Sequence, residues 1–125
     1  MSMLEKVNFN YDFSMNQENL FTPAHTKFDV TIEYNGMCYV TEYQCNTQYT
    51  EPTKEDVMEC LILDAMSYED AADVESFVFD FGYADNKESL RRGFAAYEAC
   101  KKTYEALHIM FTDDEIYAIS DEIND

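Results

Sequence analysis

The strongest constraint on this chain lies between residues 27 and 45. Lys27-Phe28-Asp29-Val30-Thr31-Ile32-Glu33-Tyr34 alternates polar and apolar side chains, Asn35-Gly36 follows, and Met37 to Cys45 continues as a second segment. A period of two is the signature of a half-buried strand, and Asn-Gly supplies the two positive-φ positions of a type I′ turn. A two-residue loop leaves the register no freedom. Tyr34 must face Met37, Ile32 face Tyr39, Val30 face Thr41 and Phe28 face Tyr43, and this set forms the core face. The same register sets Asp29 opposite Glu42, with Glu33 nearby, on the outer face. Like charges directly opposite are destabilising, so this patch is not explained by stability. Val7, Phe9, Tyr11 and Phe13 also alternate with polar residues and predict a third strand over 7–13. Residues 14–26 read as a polar loop.

Beyond residue 50 the apolar period becomes helical. Thr53, behind Pro52, caps a helix with Val57, Leu61 and Ala65 on one face. Ser67 with Asp70 predicts the start of a second helix carrying Val74, Phe77, Val78 and Phe81, with Gly82 placed to end it. Asp85 with Glu88 predicts a long helix holding Leu90, Phe94, Tyr97, Tyr104, Leu107 and Phe111. Thr112 with Glu115 predicts a short last helix contacting the core through Ile116 and Ile119. The expected fold is a single acidic α+β domain over 1–125, an N-terminal antiparallel sheet packed by three or four C-terminal helices.

Charge constrains function more than fold. The chain has 26 acidic and 8 basic residues, a formal net charge of −18. Residues 1–86 hold 17 acids and 3 lysines, a net −14; residues 87–125 hold 9 acids and 5 bases, a net −4. Such a surface repels nucleic acid, anionic membranes and phosphorylated substrates, and is drawn to basic surfaces. A disordered acidic tail would be poor in aromatics; the 10 Tyr and 9 Phe here require a folded core. The first residues show no signal-peptide pattern, and the longest apolar runs, such as Cys60-Leu61-Ile62-Leu63, fall far below the roughly 18 residues of a membrane span. Four cysteines without a close pair, two of them in helical patterns, read as reduced and mostly buried thiols of a cytoplasmic protein.

Patterns that would carry catalysis are weak. Asp64 and Asp80 are the best carboxylate pair for general acid–base work, since each sits among apolar residues, but turn capping or pairing with Arg91 or Arg92 explains them as well. Asp80-Phe81-Gly82-Tyr83-Ala84-Asp85-Asn86 has oxygen ligands around a glycine yet lacks the closing glutamate of a calcium loop. A helix stop at Gly82 followed by a cap at Asp85 accounts for it. His25 and His108 are the only histidines, and no cysteine stands in a nucleophile's context. These residues point to a non-enzyme, with no cofactor and no metal site. Acidic helix faces remain: Glu55 and Glu59 one turn apart, then Glu69, Asp70, Asp73 and Glu75. Like charges at that spacing cost a few tenths of a kcal/mol per pair, and their separation of about 6 Å is comparable with phosphate spacing along a nucleic-acid strand. Solubility is the competing explanation, and first-turn acids also suit the helix dipole.

The run Asp56-Val57-Met58-Glu59-Cys60-Leu61 with Leu63-Asp64-Ala65, then Ser76-Phe77 and Phe79-Asp80-Phe81-Gly82-Tyr83-Ala84-Asp85, then Tyr97-Glu98-Ala99-Cys100, resembles small proteins of phages, prophages and plasmids. In that group an NG hairpin with aromatics precedes a helix, an aromatic Gly-Tyr turn and a Tyr-x-x-Cys helix. The resemblance covers about residues 27–111 and departs from the pattern after Gly82-Tyr83, where Asp85-Asn86 replaces the usual aspartate-serine. It implies mobile-element origin more than an activity. Small acidic proteins of such elements resemble anti-CRISPR and anti-restriction inhibitors, which occupy the DNA-binding groove of a host defence enzyme. The resulting expectation is a nucleic-acid mimic in the cytoplasm of a host bacterium. It would bind a basic nucleic-acid-binding protein through Asp29, Glu33, Glu42, Glu55, Glu59, Glu69 and Asp73, with no direct contact to nucleic acid or membrane. The alternative is a non-enzymatic interaction or assembly module, homodimeric through exposed Tyr and Met.

Overall fold

A computed structural model describes residues 2–13, 27–44 and 52–124. The elements run α1 (Met3–Lys6), β1 (Asn8–Phe13), β2 (Lys27–Tyr34), β3 (Met37–Gln44), α2 (Lys54–Asp70), α3 (Val74–Asp80), α4 (Lys87–Met110) and α5 (Asp113–Asn124). The class is α+β, with the sheet N-terminal and the helices mostly C-terminal. Two compact units divide the chain: Met1–Glu59 with Tyr117–Asp125, and Cys60–Ile116.

In the first unit the strands form an antiparallel sheet in the order β1-β2-β3. Asn35 and Gly36 take φ of 55° and 79°, the left-handed pair that a type I′ turn requires. β2 and β3 therefore pair as Tyr34↔Met37, Ile32↔Tyr39, Val30↔Thr41 and Phe28↔Tyr43, the register expected from the loop length. Phe28, Val30 and Ile32 are buried, as are Val7, Val57, Met58 and Ile119. β1 pairs with β2, placing Phe9 opposite Ile32 and Tyr11 opposite Val30. The expected polar loop at 14–26, and Cys45 at the end of the expected hairpin, lie outside the described residues.

α1 was not expected from the sequence. Ser2 caps it by accepting the Glu5 N–H at 3.2 Å. Its other free amides find a distant partner: the Met3 and Leu4 N–H groups donate to the two Glu122 carboxylate oxygens of α5 at 3.0 and 3.1 Å. The Lys54 ammonium donates to the Leu4 carbonyl at 3.0 Å. A four-residue helix cannot hold itself, and here long-range side chains satisfy its ends.

In the second unit α2 runs straight through Ser67, correcting the expected helix start there. The Ser67 hydroxyl donates to the Leu63 carbonyl at 2.9 Å instead of capping a new helix. Tyr68 in the next position packs its ring at 5.3 Å from Tyr97 and 5.1 Å from Tyr104, which holds the last turn of α2. The break comes at Asp73, whose carboxylate accepts the Ser76 N–H at 2.8 Å and caps α3. α3 ends at Gly82 as expected, with φ of +76°. Gly82 N–H donates to the Phe79 carbonyl at 3.1 Å and Tyr83 N–H to the Val78 carbonyl at 2.9 Å, the paired bonds of a Schellman stop.

α4 is capped by Asn86, which accepts the Ser89 N–H at 2.9 Å, one residue later than the Asp85 cap expected. Its buried stripe follows Ser89, Gly93, Cys100, Thr103, Leu107 and Met110. Phe94 is thus left on the exposed side, against expectation, because Gly93 occupies the inward position. Gly93 lies directly under Tyr83: a Cβ built there would stand 2.7 Å from Tyr83 Cβ and 3.1 Å from Val78 Cγ2. At the far end Thr112 and Glu115 form the expected reciprocal capping box. Thr112 N–H donates to Glu115 Oε1 at 2.9 Å and Glu115 N–H to Thr112 Oγ1 at 3.2 Å.

Candidate functional site

The acidic residues fall into separate groups. On the outer face of the sheet, β1–β2–β3 pairing aligns Asp12, Asp29 and Glu42 in one row across three strands. Directly paired residues have Cβ atoms about 5 Å apart, so three carboxyl-bearing side chains emerge side by side. Asp12 and Glu42 are exposed and Asp29 is half-buried between them. Glu33, two positions along β2, is exposed on the same face and accepts a hydrogen bond from Asn8 Nδ2 at 3.2 Å. The hairpin acids Asp29, Glu33 and Glu42 are therefore brought to one surface. Asp12 belongs with them and was missed. Its alternation with Tyr11 and Phe13 marked it as outward-facing, but β1 and β2 stand too far apart in sequence for local rules to set their register.

Glu55 and Glu59 are exposed one turn apart at the start of α2, in the same unit as the sheet. Glu55 and Asp56 occupy the first turn, where the helix dipole favours acids; Thr53 Oγ1 accepts the Asp56 N–H there at 3.1 Å. Glu69 and Asp73 lie in the other unit. Glu69 is exposed in the last turn of α2, where a negative charge opposes the dipole. Asp73 has local work, because its hydrogen bond from Ser76 holds its carboxyl below the usual aspartate range.

Asp80 lines a cavity of about 200 Å³ with Ser67, Asp70, Ala71, Phe77 and Phe81, and Asp64 is not among the lining residues. Asp64 keeps solvent access on α2, yet crowding by its neighbours raises its pKa by desolvation. Burial, and secondarily the Asp64 charge, pushes the Cys100 thiol up to about 11. The other two described cysteines, Cys38 and Cys60, are exposed, which corrects the expectation of mostly buried thiols. Cys38 sits on the outer face of an edge strand, and Cys60 falls outside the Val57–Leu61–Ala65 stripe.

Arg91, offered with Arg92 as a partner for these aspartates, forms a local pair with Glu88. His108 lies in the last turn of α4. Its Nδ1 is 2.8 Å from the Tyr104 carbonyl, its Nε2 is 3.3 Å from Asp113 Oδ1, and its ring stacks on Tyr104 at 4.1 Å. These contacts bind the α4–α5 junction. Among the described residues no group of three or more His, Cys, Asp and Glu side chains is placed to hold a metal ion. None of their helices is long and apolar enough to cross a membrane.

Large apolar side chains also reach the surface. Phe79 is 75% and Phe81 55% exposed. Phe81 was expected in the core, but the Schellman stop makes it the last residue before the turn and swings it outward. Compared with protein-family models, curated proteins and solved structures, the chain matches none.

Proposed function

We propose that this protein is a nucleic-acid mimic that occupies the basic DNA- or RNA-binding groove of a host defence enzyme of the CRISPR or restriction type. The row Asp12–Asp29–Glu42 carries this reading. Three acidic side chains aligned across the outer face of the sheet present a row of carboxylates that complements a basic surface. The net charge of −18 supplies the long-range attraction. Glu33, Glu55 and Glu59 extend the acidic surface of the same unit, and Glu69 with Asp73 adds acid to the other. The resemblance to small mobile-element proteins and the absence of a recognisable nucleophile agree with an inhibitor acting by occupancy in the bacterial cytoplasm.

Capture from host lysate, washed with rising salt and then with competing duplex DNA, tests the reading and names the target. A nucleic-acid enzyme released by either wash, and bound less tightly by Asp29→Asn/Glu42→Gln or by Glu55→Lys/Glu59→Lys, is the expected result. A partner that resists both washes, or binding unchanged in all these variants, refutes it.

The exposed Phe79 and Phe81 favour a second reading, an interaction module whose contacts are apolar. It predicts association that is insensitive to salt and lost in Phe79→Ser. Sedimentation at low and high salt distinguishes a homodimer of this kind from a monomeric mimic.

A further inference from the structure

The cavity between the ends of α2 and α3 has a composition that the acidic row does not share. Ser67, Asp70 and Ala71 contribute from the last turn of α2 and just beyond; Phe77, Asp80 and Phe81 contribute from α3 and its stop. At about 200 Å³ it is smaller than the roughly 300–1,000 Å³ of sites that enclose a drug-sized ligand. That volume suits one side chain. Two aspartates and two phenylalanines line it; the Phe77 and Phe81 rings lie 4.7 Å apart, Phe77 buried and Phe81 exposed.

Charge placement strengthens the point. Asp70 is the last residue of the 17-residue α2, at the negative end of its dipole, and no basic residue occupies that last turn. Asp80 ends α3, also without a basic residue in the last turn. The nearest arginine in sequence with a described ion pair, Arg91, pairs with Glu88. The corner thus sets two acidic residues beside the exposed Phe81, with no basic residue in the last turn of either helix.

We propose that this corner receives an arginine side chain of a basic protein partner. A guanidinium is planar, stacks on aromatic faces and offers paired donors to carboxylates; a lysine ammonium matches only the charge. The proposal rests on the reading of a basic partner and adds a defined anchor point to it. The anchor's residues all belong to the Cys60–Ile116 unit, and the sheet acids belong to the other.

The test uses the full chain and three peptides as probes: acetyl-Gly-Arg-Gly-amide, its citrulline counterpart and its lysine counterpart. Backbone amide signals are followed by NMR at low salt. The arginine peptide is expected to bind saturably at about millimolar concentration, shifting amides within 67–82, with the citrulline and lysine peptides weaker. Asp80→Asn should weaken the arginine peptide about threefold or more, as for a single solvent-accessible charge pair. Phe81→Ser should do so while leaving the remaining spectrum folded. Equal binding by citrulline or lysine, or shifts confined to residues outside 67–82, overturns the proposal. Either result leaves the mimic reading to its own test, since that one depends on Asp29, Glu42, Glu55 and Glu59 and on salt.

Discussion

Gly93→Ala is the substitution whose sign best tests the packing of the second unit. In an open helix, replacing glycine by alanine stabilises by about 0.5–1 kcal/mol through the unfolded chain's lost freedom. Gly93 stands mid-helix in α4, so propensity alone predicts a gain. The added methyl, however, would lie 2.7 Å from Tyr83 Cβ and 2.9 Å from Tyr83 Cγ. Cβ is fixed by the Tyr83 backbone and no side-chain rotation moves it away. The Tyr83 backbone is itself tied by its bond to the Val78 carbonyl. Relief therefore requires α3 and α4 to separate, an overpacking cost of about 1–3 kcal/mol. The net is a loss of about 1.5 kcal/mol, which for a chain of this size lowers Tm by roughly 5 °C. Thermal unfolding followed by circular dichroism measures it, with Ala95→Gly as the propensity control on an exposed position of the same helix. A variant as stable as the parent, or more stable, would refute the close approach of α4 to the Tyr83 turn.

Three further outcomes follow from single interactions. Thr112→Ala removes one arm of the capping box and should cost about 1 kcal/mol, read as a lower urea midpoint; no change would mean that α5 starts elsewhere. The Glu122 carboxyl is held below its ordinary pKa chiefly by the Leu4 N–H, with Ser2 and Met3 assisting. Its contribution is present above the ordinary glutamate pKa and lost as pH falls through the lower folded value, so Glu122→Gln should flatten the acid limb of the stability–pH profile. Asp64 has the opposite sign. Its raised pKa means that ionising it opposes folding, so Asp64→Asn should be more stable than the parent at pH 7, with the difference fading as pH falls through the raised folded value and gone below the ordinary aspartate value. The same change should lower the Cys100 pKa from about 11. In the parent, iodoacetamide at pH 8 should label Cys38 and Cys60 well before Cys100, as mass spectrometry of the peptides would show.

What the sequence by itself determined is local. Asn35-Gly36 set the β2–β3 register because a two-residue turn has few solutions, and that register alone predicted the Asp29–Glu42 pair. Thr53, Gly82 and the Thr112–Glu115 pair marked helix ends because each acts on backbone groups three to five residues away. Where two local signals competed, packing chose. Ser67 had the form of a cap, but the Tyr68 contacts with Tyr97 and Tyr104 kept α2 continuous to Asp70. The inward stripe of α4 followed Gly93 and not Phe94, because only a position without Cβ lets α4 approach Tyr83. Only the tertiary structure added Asp12 to the acidic row and bound α1 to Glu122 across 119 residues. Neither of these is a property of neighbouring residues. Each depends on the free energy of bringing distant segments together, which no short window of sequence contains.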